Sequence, residues 1–356
     1  MKKTWLRWLP AALVPVLVVG AALAVPAAAG AAPQLPAKSA QQVLELIASS
    51  SGATYSGTVE QSSKLGLPQL PASAGHGPTS TAASVLELLT ASHTARVYVG
   101  ANSASRVQLL DSLAERNVIR NGSDLWLYDS RSKEVTRVAL PNSDAKPTTP
   151  GAADTPADIA QALLSNLDSS TTVTVGNTAT VAGRSAYTIT LAPKTADTLI
   201  DSVVVAADSA TGLPLRVTVN ARGQADPAVT AGFTTIDFNT PDPSVFAFTP
   251  PAGVTVKEQP LPADTPATGS SAPAGAKPTV TGTGWSSVVE IPAAALAAGS
   301  PGTADPSTAA LLDQVSTPVA GGRVVQTALL TAFLTTDGRL FLGAVPVETL
   351  QAAAAK

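Results

Sequence analysis

The chain opens on a block with no alternation of polar and apolar positions. Lys2, Lys3 and Arg7 precede an apolar run over residues 9–25, and residues 26–32 are small. That order predicts a secretory signal cleaved at Ala27-Ala28-Ala29 or Ala29-Gly30-Ala31, so residues 1–32 are a signal peptide. The run falls short of the roughly 20 residues a bilayer span needs, and Pro10 and Pro15 weaken it as a helix. The other reading is an uncleaved anchor with Trp5 and Trp8 at the membrane interface.

Beyond the signal the period is first helical, then two. Residues 37–50 predict a helix, with Val43, Leu46 and Ile47 in one stripe and Ser39 capping it across from Gln42. Residues 55–61 alternate as a strand. A Pro/Gly-rich loop over 65–78 and a short helix over 82–90 follow. Strands are predicted over 95–99, 105–110, 116–120, 124–128 and 134–140, with a hairpin at Asn121-Gly122-Ser123. Thr155-Pro156-Ala157-Asp158 then opens a helix with a cap, an early proline and an early acid, burying Ile159, Leu163 and Leu167. Strands resume over 172–175, 186–191, 202–207, 213–220 and 229–238. Tyr187, Ile189 and Leu191 share a face, and Asp208-Ser209-Ala210-Thr211-Gly212 makes a turn.

The pattern is therefore mainly β with helices (α+β), in one domain over 37–258. Residues 259–278 read as a Pro/Ala-rich linker. Residues 279–356 form a small C-terminal β-hairpin unit. Its strands are predicted over 286–291, 324–335 and 340–345, with a small-residue loop at 293–302, a hairpin at Asp337-Gly338 and a terminal helix over 348–355.

Composition removes several functions. The chain has no cysteine, so disulfides, a lipid-modified N-terminal cysteine, zinc-thiolate sites and iron–sulfur sites are excluded. Loss of Lys2, Lys3 and Arg7 with the signal leaves 19 bases against 25 acids, a net charge of −6. A mildly acidic chain with no basic patch argues against nucleic acid. Catalysis is not expected either. The two histidines, His76 and His93, read as solvated loop residues, and no G-x-S-x-G elbow, H-E-x-x-H or Walker A sequence is present. No cofactor or metal is expected.

Four segments in order resemble the LolA-like superfamily of outer-membrane lipoprotein carriers and lipoprotein-sorting proteins, in its Ala-rich actinobacterial form. They are Tyr55-Ser56-Gly57-Thr58-Val59-Glu60-Gln61, Arg120-Asn121-Gly122-Ser123-Asp124-Leu125-Trp126-Leu127-Tyr128, Asp208-Ser209-Ala210-Thr211-Gly212-Leu213-Pro214 and Phe246-Ala247-Phe248-Thr249-Pro250-Pro251-Ala252-Gly253. The resemblance covers residues 37–258. It implies an open antiparallel half-barrel covered by helices, with acyl chains of lipid or lipoprotein bound in the apolar space between. The missing lipobox cysteine departs from lipid-anchored members.

On that reading the chain is an exported envelope protein that binds acyl chains as carrier or sensor. The alternative is a ligand-free structural or regulatory protein that docks another envelope protein. An acyl chain entering an apolar cavity gains about 0.8 kcal/mol per CH₂. Candidate lid residues are Leu67, Leu70, Val85, Leu86 and Leu89; the other reading of that helix is a plug for one end of the core. Trp126 and Tyr128 alternate with Leu125 and Leu127, and each is either a cavity wall or plain core. N-terminal sequencing of exported protein should begin within residues 30–34; an intact Met1 on membrane-bound material would instead establish an anchor.

Overall fold

The computed structural model describes residues 33–66, 92–111, 114–140, 155–260, 277–299 and 315–355. The signal, the loop and short helix over 67–91, and most of the expected linker lie outside them. In chain order the described N-terminal part runs α1 (Ala40–Ala48), β1 (Tyr55–Ser63), β2 (His93–Val99), β3 (Ser105–Asp111), β4 (Ala114–Asn121), β5 (Asp124–Asp129) and β6 (Glu134–Ala139). Next come α2 (Pro156–Ser165), β7 (Thr171–Val175), β8 (Ala179–Val181), β9 (Arg184–Pro193), β10 (Ile200–Asp208), β11 (Pro214–Ala221), β12 (Val229–Asp237), a 3₁₀ turn at Pro243–Phe246 and β13 (Thr255–Pro260).

These strands make one open sheet, ordered β13-β6-β5-β4-β3-β2-β1-β12-β11-β10-β9-β7, with β8 beside β9. All its pairs are antiparallel except β13 with β6, which run parallel. The hairpin expected at Asn121 is present. Asn121 pairs with Asp124, and Gly122 takes φ +59° at the first loop position, where type II′ turns need a positive φ. β8 and β13 are additions to the elements expected from sequence. β13 takes up Gln259 and Pro260, the first two residues assigned to the linker.

Both helices start as the sequence predicts. Ser39 Oγ accepts from Gln42 N at 3.2 Å while Gln42 Oε1 accepts from Ser39 N at 2.8 Å. Thr155 Oγ1 accepts from Asp158 N at 3.2 Å, and Asp158 Oδ2 accepts from Thr155 N at 3.1 Å. Each reciprocal cap satisfies two otherwise orphaned donors and is worth about 1 kcal/mol. The helices bury Val43, Ile47 and Ala160 against Tyr187, Ile189, Leu191, Val203 and Val205, one half of one face of the sheet. Each fully buried Val, Leu or Ile there contributes about 1.5–3 kcal/mol. Ile159, Leu163 and Leu167 of the predicted stripe pack on this cluster but are only partly buried; Ala160 is the fully covered position.

The C-terminal part is a second antiparallel sheet larger than the expected hairpin. It comprises β14 (Thr279–Thr281), β15 (Val288–Ile291), β16 (Thr317–Val319), β17 (Gly322–Gln326), β18 (Thr331–Thr335) and β19 (Leu340–Gly343), in the order β14-β15-β19-β18-β17-β16. α3 (Ala293–Gly299) replaces the predicted loop start, because an alanine run is a strong helix former. The single strand predicted over 324–335 is broken by a turn in which Thr327 N donates to Leu330 O at 2.8 Å. α4 (Val347–Ala354) is the expected terminal helix. This part rests on the large sheet. Trp285, in the 3₁₀ turn Gly284–Ser286, packs against the α1/α2 cluster and donates its indole N–H to Thr171 Oγ1 at 2.8 Å. Leu199 N and Thr198 Oγ1 both donate to Ala344 O, at 2.8 and 2.7 Å.

The turn after β10 shows why its residues are needed. Asp208 is 1% exposed. Its carboxylate accepts from Arg184 Nε at 2.5 Å and Nη2 at 3.0 Å, and from Ala210 N, Thr211 N and Thr211 Oγ1 at 3.1, 2.8 and 3.0 Å. Gly212, at φ +77°, passes so close to α1 that an added Cβ would lie 2.0 Å from Leu46 O. Burial alone pushes the Asp208 carboxyl up, but Arg184 and the Thr211 donors outweigh it and hold the group below its ordinary value. A carboxyl with a depressed folded-state pKa stabilises the fold above the unfolded value near 3.9, and that contribution is lost as pH falls. Asp208→Asn should lower the stability measured by urea unfolding at pH 7 by about 2 kcal/mol, less than the roughly 3–5 kcal/mol for breaking a fully buried pair because Arg184 still reaches water. The variant should also lose less stability than wild type between pH 5 and 2.

Candidate functional site

The face that carries α1 and α2 continues beyond them. Residues paired across antiparallel strands share a face, and one row runs Ile189–Val205–Val217–Ala231–Gln61–His93. On the far side of β1 this inner face presents Val59, Ala95 and Val97, then Leu109 of β3 opposite Ala95. Arg116 and Arg120 of β4 lie on the same face and flank Val118. Of the described helices, the start of α2 reaches this half, through Thr155 and Ala157.

Where the two halves meet, Val59, Gln61, His93, Ala95, Val97, Leu109 and Thr155 line a small cavity. The space open to a water molecule's centre is about 10 Å³, room for about one water. Its walls are mostly aliphatic, with polar groups from Gln61, His93 and the α2 cap. Ser63, two residues beyond Gln61 on the same strand, has a buried hydroxyl without a hydrogen-bond partner.

Tyr55 anchors this junction. It stands at the start of β1, 4% exposed, with its ring edge-on to Phe233 at 5.8 Å. Burial pushes its phenol up to about 12; the charge of Asp158 acts in the same direction, and a hydrogen bond with Thr155 opposes both. The residues that start α2 thus also hold the helix to β1 beside the cavity.

The expected site residues are divided by the structure. Trp126 and Tyr128 do not line the cavity. β5 pairs so that Leu125 and Leu127 share the inner face with Arg120 and Val118, leaving Trp126 and Tyr128 on the opposite one. There their rings meet Phe248 at 5.6 and 5.9 Å, and Arg137 lies over Trp126 at 5.2 Å. Leu67, Leu70, Val85, Leu86 and Leu89 lie outside the described residues, as does His76. His93, expected to be a solvated loop residue, is instead buried in β2. The cavity residues that sequence reasoning passes over, Val59, Ala95, Val97 and Leu109, do carry a signal: they occupy alternate positions of strands that pair directly. Among the described residues no group of three His, Asp or Glu could hold a metal ion, and no helix is long and apolar enough to cross a membrane.

Residues 85–248 match the MucB/RseB N-terminal domain family. Among solved structures the chain is similar to the Pseudomonas aeruginosa MucA/MucB complex, at 14% identity over 88% of this chain and 96% of that one, with a TM-score of 0.43. It is similar to an uncharacterized conserved protein from Thermus thermophilus, at 10% identity over 62% and 99%, TM-score 0.36. A LolA superfamily protein from Nitrosomonas europaea shares 11% identity over 60% and 99%, TM-score 0.27. No curated protein matches the sequence.

The raised Tyr55 phenol has a measurable consequence. The folded chain keeps this proton while an unfolded tyrosine loses it near pH 10, so stability should fall as pH climbs from about 10 to about 12. Absorbance titration of tyrosinate should show one late-ionising residue, and Tyr55→Phe should remove that late step and flatten the alkaline loss of stability.

Proposed function

We propose that the mature chain is an extracytoplasmic envelope protein, a LolA-like half-barrel of the actinobacterial type that takes acyl chains of lipid or lipoprotein on its inner face. The observation that carries this reading is the buried aliphatic lining of Val59, Ala95, Val97 and Leu109, which continues the core face beyond α1 and borders a cavity. The family match over residues 85–248 supports a binding module of this general kind. At about 0.8 kcal/mol per buried CH₂, a long chain would bind through apolar contact alone, less the cost of ordering it. No catalytic step, cofactor or metal belongs to this reading.

The cavity volume favours a second reading. At about 10 Å³ the space holds no acyl chain until it widens, so a ligand-free protein that docks another envelope protein uses the fold as it stands. Mass spectrometry of an organic extract of purified mature protein separates the two: a stoichiometric lipid supports the carrier, and a clean extract supports docking. Ala95→Leu would more than fill the cavity and oppose its widening. It should weaken binding of a fluorescent fatty acyl probe by at least about tenfold, a loss of some 1.4 kcal/mol, while circular dichroism stays β-rich. Unchanged probe affinity in the folded variant would remove the acyl site from this face.

A further inference from the structure

Helix α2 is held at its two ends by different parts of the molecule. Its ten residues span about 15 Å, roughly three strand spacings, and lie across β11 and β12. At its start, the cap residue Thr155 is buried in the cavity wall, and Ala157 packs on the cluster of Tyr55, Val59 and Val97. Its last turn passes into a short, tightly bonded link to β7. Asn166 Nδ2 donates to Ala162 O at 2.8 Å, Ser170 N to Asp168 Oδ1 at 2.8 Å, and Lys194 Nζ to Ser169 O at 2.7 Å. The C-terminal unit bears on that link. An added Cβ at Gly284 would lie 2.5 Å from Ser170 Oγ and 3.0 Å from Asp168 Oδ2, so turn and link are closely packed. Trp285, next in the turn, donates its indole N–H to Thr171 and packs with Leu163, Leu164 and Leu167 against the α1/α2 cluster. Other bonds keep the unit in place without Trp285: Leu199 N and Thr198 Oγ1 donate to Ala344 O, and Ala328 N donates to Leu65 O at 2.9 Å.

We propose that the C-terminal unit is an autoinhibitory latch: through Trp285 it pins the exit of α2 and so holds the cap of that helix closed over the inner-face cavity. The inference rests on the acyl reading of that cavity. At about 10 Å³ the space must widen before an acyl chain enters. Of its lining residues only Thr155 stands at a helix end; the other six stand in β1, β2 and β3, which pair directly. Parting those strands breaks the sheet ladder, whereas lifting the start of α2 breaks only the contacts of its cap. A helix this short moves as a rod, so tilting its start demands movement at its exit, where Trp285 sits. The open form is the one that binds, and its share falls by the factor with which Trp285 favours the closed form. By linkage, a bound acyl chain loosens Trp285 by the same factor.

The test compares Trp285→Ala with wild type, both as the full mature chain. Backbone amides of α2 should exchange with deuterium at least about tenfold faster in the variant, while those of β9 to β11 change by less than about threefold. The late tyrosine step at about 12 should move toward 10 as the cap lifts from Tyr55. Affinity for the fluorescent fatty acyl probe should rise at least about fivefold, because less of the protein is held closed. Thr171→Val removes the acceptor of the indole N–H at nearly constant volume. It should move every readout in the same direction, exchange and affinity by about threefold, and it carries the test if Trp285→Ala fails to fold. Unchanged α2 exchange, an unmoved tyrosine step, or equal acceleration throughout the large sheet overturns the latch and leaves Trp285 as packing alone. So does faster α2 exchange with unchanged probe affinity, where the wild type binds the probe. Faster α2 exchange and an earlier tyrosine step in a protein that never binds the probe support the hold of Trp285 on α2 and overturn the acyl reading instead.

Discussion

The period of two along each pleated strand is the constraint from which the rest of this molecule follows. Antiparallel pairing carries the in–out choice of one residue across every neighbour, so the direction of Val59 in β1 also sets Ala95, Leu109 and Arg116. Through β12 and β11 the same choice reaches Val205 and Ile189 beneath the helices. Core and candidate site are therefore one surface, part of it covered by α1 and α2. A slip of one residue between β1 and β12 would turn either the core or the cavity wall toward solvent. Tyr55 opposes such a slip by joining the start of β1 to the cap of α2.

The parts of the fold legible in sequence are those whose causes are local. Ser39 with Gln42 and Thr155 with Asp158 form reciprocal caps within three residues of one another. Gly122 and Asp208 mark turns through their own backbone and side-chain chemistry. The parts that are not legible depend on distant partners or on brevity. β13 is held by parallel pairing to β6, and nothing between Thr255 and Pro260 announces that neighbour. β8 and β14 are three residues long and carry too little pattern to read. Ala293–Gly299 reads two ways, because small residues suggest a loop while alanine favours a helix.

The candidate site is legible only in part, for the same reason. Alternation within β5 separates Trp126 and Tyr128 from Leu125 and Leu127 without saying which pair faces inward. That answer depends on the register with β4, where Leu125 opposes the inner-face Arg120 and Trp126 opposes Ile119. Aromatic residues draw attention as cavity walls, yet the apolar part of the wall is Val, Ala and Leu, beside Gln61, His93 and Thr155. The aromatic cluster with Phe248 instead fastens the chain segment after β12 to the outer side of the sheet. His93 reads as solvated because its neighbours at the strand start are short and polar, while the structure pairs it with Gln61 and sets it in the cavity wall with Thr155 of another element.

The parallel pairing of β13 with β6 also bears on time. The chain is made from its N-terminus, so Glu134 exists well before Thr255, its eventual neighbour. Until that return segment arrives, β6 is an unprotected edge whose free N–H and C=O groups can recruit any passing strand. β1 waits in the same way for β12, which lies later in the chain than β6. Long-range pairings of this kind close slowly. A chain cut short before Thr255 would therefore lose the seal on an edge far from the cut and become prone to aggregate, although every residue of β1 to β6 had been made correctly.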